Sequence, residues 1–175
     1  MAAEVLVVCT GNVARSVMAG CMLEWLSEAE GLGLRVTTAG THALDGQPIG
    51  SRTRAALDAV AELSGMAPGR HRSRQLATGD VERADVVVAM EADHVRFVRR
   101  HHPAAAARTA TLRRLCRDLA PGPAPLAARL AALHLDQVVL GADEDVDDPA
   151  GKDDAAYAAC AGELWELCRE VVDRL

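Results

Sequence analysis

Short apolar runs alternate along the chain with stretches in which apolar positions recur every three or four residues. Glu4–Val8 is apolar and rich in β-branched residues, the pattern of a strand buried on both faces. Polar and glycine-bearing CTGN follows. From Ala14 to about Glu30 the positions Val17, Cys21, Met22, Trp25 and Leu26 recur with helical spacing. Arg35–Ala39 predicts a second strand ending in Gly40, and residues 41–51, with Gly46, Pro48 and Gly50, predict a loop. Arg52–Leu63 reads as a helix, Asp85–Met90 as a buried strand, and Glu91–Arg100 as a helix stopped near Pro103. Thr109–Leu112 predicts a short strand and Leu126–Leu135 a helix. An acidic loop over Asp143–Asp154 leads into a final amphipathic helix from about Asp153 to Arg174. Strands alternating with helices at this spacing predict a parallel α/β sheet covered on both faces. The run PGPAP at 121–125 breaks the chain, but too few residues follow it for a separate core. Residues 1–175 are therefore expected to form one domain.

Composition narrows the class without changing that picture. Half of the 175 residues are hydrophobic and a quarter charged, the balance of a folded globular chain. No run approaches the about 20 apolar residues of a membrane helix, and the first polar motif comes too soon for a signal peptide to be expected. The net charge of −6 lacks the basic field of a nucleic-acid binder. All basic residues but Lys152 are arginine, which reads as coding bias and not as anion recognition. Five cysteines include no C-x-x-C pair, against a zinc ribbon or dithiol motif and in favour of reduced, cytoplasmic thiols.

The first strand delivers the chain into Cys9-Thr10-Gly11-Asn12-Val13-Ala14-Arg15-Ser16, and a helix starts there. Open α/β sheets bind ligands at the carboxyl ends of their strands. Successive backbone N–H groups in such a turn, with the helix N-terminus, make a nest for a tetrahedral anion. Gly11 is expected to supply the positive φ that the curl needs. Arg15 is suited to fork onto phosphate oxygens, and Ser16 to donate to the Cys9 sulfur, whose surroundings favour the thiolate. The motif is a nucleophile inside an anion cradle.

Val8–Ser16 (VCTGNVARS) resembles the signature of the low-molecular-weight protein tyrosine phosphatases. Thr38-Ala39-Gly40-Thr41 resembles their loop-supporting segment, His71-Arg72-Ser73-Arg74-Gln75 their H-x-x-R-Q stretch, and Val146-Asp147-Asp148-Pro149 their late Asp-Pro loop. The resemblance covers most of the chain. It implies a three-layer fold, a four-stranded parallel sheet with helices on both faces and an N-terminal phosphate-binding loop. It also implies metal-free phosphomonoester hydrolysis through a phosphocysteine, with no cofactor. The catalytic residues would be Cys9, Arg15 and Asp148; Thr10, Gly11, Asn12, Val13, Ala14 and Ser16 would bind substrate. Asn12 would hold the loop in its strained shape, supported by the Thr38 hydroxyl and by His71. Arg72 and Arg74 are expected at the surface. The chemistry itself asks for an acid, because a thiolate attacking phosphorus expels an alkoxide or phenoxide that must be protonated. Asp148 precedes Pro149, which restricts it to extended geometry, with Asp147 the neighbouring alternative. A calcium loop over the same acidic run fails, since Asp148 and Asp154 stand where glycine and glutamate are needed.

Several positions depart from the family pattern. Ala14 replaces a second loop cysteine, removing that disulfide partner, and Val17 replaces a proline. Ala150-Gly151 and His42-Ala43-Leu44 stand where phosphotyrosine-specific members carry aromatics, so an aromatic-free mouth is expected. The substrate would be a phosphorylated protein or a small phosphate ester, phosphoarginine included, with neither nucleic acid nor membrane as partner. Two rivals stand beside this reading. Arsenate reduction on the same fold leaves Asp148 unexplained and lacks the extra cysteines near the third strand. A non-catalytic phosphate-binding module leaves the whole triad of Cys9, Arg15 and Asp148 unexplained.

Overall fold

The computed structural model describes residues 3–66 and 68–175. Four parallel strands, β1 (Glu4–Cys9), β2 (Arg35–Gly40), β3 (Val86–Ala89) and β4 (Thr109–Thr111), form one sheet in the order β2-β1-β3-β4. The register aligns Cys9 with Gly40 and Val8 with Ala89, so the carboxyl ends of the three longer strands open on one edge. Strand β1 is central and shows five consecutive buried residues, as its unbroken apolar run predicts. Alternation then splits the core. Val5, Val7 and Cys9 face α1 (Arg15–Glu30) and α7 (Asp154–Val171), which pack on each other, while Leu6 and Val8 face α3 (Thr78–Arg83) and α4 (Ala92–His101). The result is the expected three layers. Among the described residues no helix is long and apolar enough to cross a membrane.

Several elements differ from the periodicity, each for a local reason. The helix expected over 52–63 is α2 (Ser51–Asp58), after which Val60 turns extended and Ala61–Leu63 makes a single 3-10 turn that buries Leu63. The helix expected over 126–135 is α6 (Leu126–Ala131); His134, at φ 47°, reverses the chain so that Leu135 is buried. Strand β4 stops at Thr111 because its hydroxyl accepts the Arg114 N–H and caps a further helix, α5 (Leu112–Asp118). Helix α3 is also additional, its start marked by the Asp80 carboxylate accepting the Ala77 N–H at 3.0 Å. Both are too short to show a helical period.

Helix α1 lies so close to β2 that a Cβ on Gly20 would sit 2.6 Å from Cγ2 of Thr38. Gly20→Ala should therefore destabilise the protein by about 1–3 kcal/mol through overpacking, reversing the gain of about 1 kcal/mol that alanine brings to a helix interior. In a Thr38→Ser background, which removes only the methyl group, the same change should stabilise. Urea unfolding of the four combinations checks this, and a stabilising Gly20→Ala in the Thr38 protein would refute the tight approach.

Candidate active site

Cys9 ends β1 with its sulfur buried, and Ser16 Oγ lies 3.0 Å from Sγ. That oxygen also accepts from Asn12 Nδ2 at 3.0 Å, which leaves the Ser16 hydrogen to donate to sulfur. Of these side chains only Ser16 reaches the sulfur; Asn12 acts on it through the Ser16 hydroxyl, and the first turn of α1 carries no side-chain cap. Thr10, Gly11, Asn12, Val13 and Ala14 form the intervening loop.

The loop owes its curl to Asn12 and not to Gly11: Asn12 has φ 54°, whereas Gly11 lies outside the left-handed region. This corrects the sequence expectation. Asparagine tolerates that region because its side chain satisfies nearby groups, and here it is over-determined. Nδ2 donates to Thr38 Oγ1 at 2.9 Å, Oδ1 accepts the Arg74 N–H at 3.1 Å, and the Asn12 carbonyl accepts from His71 Nε2 at 2.8 Å. The structure thus brings both expected supports, Thr38 and His71, onto Asn12. Thr53 of α2 donates to the Val13 carbonyl at 3.1 Å. Glycine is required instead at Gly40, where a Cβ would approach the Thr10 carbonyl to 2.5 Å. The loop between β2 and α2 then binds the start of the Cys9 loop, as Thr41 and His42 N–H groups donate to the Cys9 and Thr10 carbonyls at 2.9 Å.

Arg15, 1% exposed, turns its guanidinium towards the late acidic loop. Nη2 meets Asp148 Oδ2 at 2.8 Å, while Nη1 donates to the Val146 carbonyl at 2.8 Å and to Glu91 Oε1. Asp148 Oδ1 accepts the Ala150 N–H at 3.0 Å, which aims the carboxyl. The rest of the acidic run divides its labour. Glu144 is buried against Arg114 and Thr111; Asp145 accepts the Ala92 N–H at the start of α4; Asp153 caps α7; Asp147 is exposed. Val146 N–H bonds the Met90 carbonyl at 2.8 Å, fastening the loop to the end of β3.

Two site neighbours escaped the sequence reading, Glu91 and His94. They follow the clearest strand in the chain as E-x-x-H at the N-terminus of α4, a signal readable only once β3 is known to lie beside β1. His94 Nε2 contacts Thr10 Oγ1 at 2.9 Å. Burial, and then the Arg15 charge, push the His94 pKa down to about 4, with Asp148, Asp145 and Asp93 opposing. The mouth is not free of aromatics either: Phe97 of α4 packs against His42 with ring centroids 5.2 Å apart. Arg72 is at the surface as expected, but Arg74 is half-buried and pairs with Asp80 at 2.6 Å. Burial pushes the thiols of Cys21, Cys116 and Cys160 up to about 11, 12 and 12, and that of Cys168 higher still, so these four stay protonated. Among the described residues no group of three or more His, Cys, Asp and Glu side chains is arranged to hold a metal ion.

With Cys9, Arg15 and Asp148 gathered at one strand edge, the arrangement can bind a phosphoryl group, attack it, and protonate what leaves. Comparison with known proteins agrees. The profile of the low molecular weight phosphotyrosine protein phosphatases matches residues 4–121. A low molecular weight protein-tyrosine-phosphatase of Streptomyces coelicolor is 34% identical, the match covering 99% of this chain and 88% of that one. A protein-arginine-phosphatase of Bacillus subtilis is 28% identical over 98% of this chain and 96% of its own length. The low molecular weight protein tyrosine phosphatase of T. tengcongensis superposes with a TM-score of 0.79 at 27% identity, covering 99% of this chain and all of that one.

The depressed His94 pKa makes a stability prediction. Between about 6.5, its ordinary value, and about 4, the unfolded chain binds a proton at this histidine that the folded chain refuses. Stability contributed by the neutral ring is thus complete above pH 6.5 and lost progressively as the pH falls towards 4, by up to roughly 3 kcal/mol. Chemical unfolding of wild type and His94→Gln across pH 4–7 should show the wild type losing more. Parallel losses would mean that His94 is not held neutral.

Proposed function

Because the chain belongs to the low molecular weight phosphotyrosine protein phosphatase family, and is a cysteine-dependent phosphatase, we propose that Cys9 is its nucleophile, Arg15 its phosphate ligand and Asp148 its general acid. The observation that carries this assignment is Arg15, whose single buried guanidinium reaches from the Cys9 loop to Asp148.

The phosphoryl group docks on the loop amides and on Arg15, its oxygens replacing Asp148 at Nη2. The Cys9 thiolate attacks phosphorus; the P–O bond breaks and the leaving oxygen takes the Asp148 proton, a step worth about 10²–10⁴-fold. The Asp148 carboxylate then removes a proton from water, which attacks the phosphocysteine and returns inorganic phosphate and the thiolate. Ser16, donating to sulfur and fixed by Asn12, stabilises the thiolate both as nucleophile and as leaving group. Thr38 and His71 act on this step only through Asn12. Thr10, Gly11, Val13 and Ala14 supply the cradle's backbone.

We read a phosphorylated protein as the substrate. Phosphoarginine is the second reading beside phosphotyrosine. A full-length likeness to a protein-arginine-phosphatase supports it, whereas Thr10 after the nucleophile does not discriminate between the two. Free cysteines throughout fit a reducing compartment, the cytoplasm, and the packing of α7 on α1 supports a single domain over 1–175.

Two substitutions test the chemistry. With p-nitrophenyl phosphate at pH 5–7 in chelator, Cys9→Ser should abolish turnover and Asp148→Asn should lower kcat by about 100-fold or more on an alkyl phosphate, with a smaller loss on the better nitrophenolate leaving group. Wild-type activity in Cys9→Ser refutes the nucleophile, and an equal loss on both leaving groups refutes the acid. The ratio of kcat/KM on phosphotyrosyl and phosphoarginyl peptides should exceed tenfold towards one class and so name it.

A further inference from the structure

His94 has no part in the steps above, yet it is 3% exposed and its ring reaches the residue directly after the nucleophile. Its Nε2 faces two oxygens, Thr10 Oγ1 at 2.9 Å and Glu91 Oε2 at 3.9 Å. Its Nδ1 is buried without a hydrogen-bond partner among the described residues. These surroundings assign the proton. On Nε2 it donates to Thr10 and is attracted by the Glu91 carboxylate. On Nδ1 it would be a buried N–H with no acceptor, and the Nε2 lone pair would confront Glu91. A bare buried acceptor is the cheaper of the two orphans. Neutrality itself is set by burial and by Arg15, against the opposing carboxylates of Glu91, Asp93, Asp145 and Asp148.

With Nε2–H donating, Thr10 Oγ1 is an acceptor towards the protein and its own hydrogen is left over. Thr10 is exposed at the rim of the cradle, and its carbonyl is tied to the His42 N–H at 2.9 Å. Backbone and side chain are thus pinned from opposite sides, by the β2–α2 loop and by α4. We propose that His94 is a positioning residue: it locks the Thr10 side chain so that the hydroxyl presents a hydrogen-bond donor to a phosphoryl oxygen of the substrate docking over Cys9. This rests on the assignment of the Cys9 loop as the phosphate cradle. A Thr10 freed from His94 would have to lose its rotamer freedom on each binding event, weakening substrate and product phosphate alike.

The test is a double-mutant cycle on wild type, His94→Ala, Thr10→Val and the pair, with His94→Gln and Thr10→Ser as conservative controls. It reads kcat and KM for p-nitrophenyl phosphate and Ki for inorganic phosphate. The expected result is a rise in KM and Ki of about 3- to 10-fold in each single variant, the worth of one hydrogen bond. The double variant should be no worse than either single, because both remove one interaction. His94→Gln, which keeps a donor near Nε2, should recover part of the loss in KM and Ki seen in His94→Ala, and Thr10→Ser, which keeps the hydroxyl, part of that seen in Thr10→Val. A purely structural His94 would instead lower the amount of folded enzyme and leave Ki alone. Additive effects, an unchanged Ki, or a His94→Gln as impaired as His94→Ala overturn the inference. If His94→Ala does not fold, Thr10→Val against His94→Gln carries the comparison, and a wild-type Ki in Thr10→Val overturns it. Hydrolysis that survives Cys9→Ser overturns the phosphatase reading itself; hydrolysis lost in Cys9→Ser together with an additive cycle overturns only the role of His94.

Discussion

A left-handed peptide at Asn12 bends the chain back over the end of β1, and the site depends on that bend being held. A left-handed residue other than glycine costs about 1–2 kcal/mol. Four partners from three separate segments offset it: Ser16 from α1, Thr38 from β2, and Arg74 and His71 from the stretch before α3. None of these contacts touches the sulfur except through Ser16. Their common effect is to keep the loop in one shape before any phosphate arrives, so that binding does not have to order it. Strain at a functional loop survives because the surrounding sheet and helices over-determine it.

The second constraint is charge. Arg15 is buried, and a buried cation needs partners. The chain provides Asp148 on one nitrogen and Glu91 with a carbonyl on the other, from two loops that the parallel sheet brings to the same edge. The pairing compensates the guanidinium and, on the proposed mechanism, keeps the general acid beside the phosphate ligand. A dianionic phosphoryl group can take the Asp148 position on Arg15 without leaving the arginine unpaired, because Glu91 and the Val146 carbonyl remain. On the proposed mechanism, substrate binding and release of Asp148 are therefore one exchange of partners.

Much of this was legible in the sequence, and the exceptions share a cause. The unbroken runs of β1 and β3 announced buried parallel strands, and Cys9 to Ser16 marked the loop at the end of β1 that we propose as the anion cradle. Thr38 and His71 were singled out only through resemblance, since nothing local marks them, and Asp148 through resemblance together with the proline that follows it. Glu91 and His94 were missed because their meaning comes from β3 lying beside β1, a fact of topology. The positive φ was expected at Gly11 and belongs to Asn12, because glycine permits that geometry while asparagine, with its side chain, can also hold it. Helices α3 and α5 were missed as too short for a period. The aromatic-free mouth followed from two loops alone, whereas Phe97 arrives from α4.

Position sets the proposed nucleophile apart from the other four thiols. Cys21, Cys116, Cys160 and Cys168 sit in helices against apolar neighbours, where burial disfavours the anion and keeps them inert. Cys9 is as buried as Cys160, so burial alone does not distinguish them. What differs is the supply of donors: Ser16 with its hydrogen committed to sulfur, and a helix N-terminus without a side-chain cap. A capping serine or aspartate at position 14 would have satisfied those amides internally. Ala14 makes no such bond, which on the proposed mechanism leaves those N–H groups for phosphate.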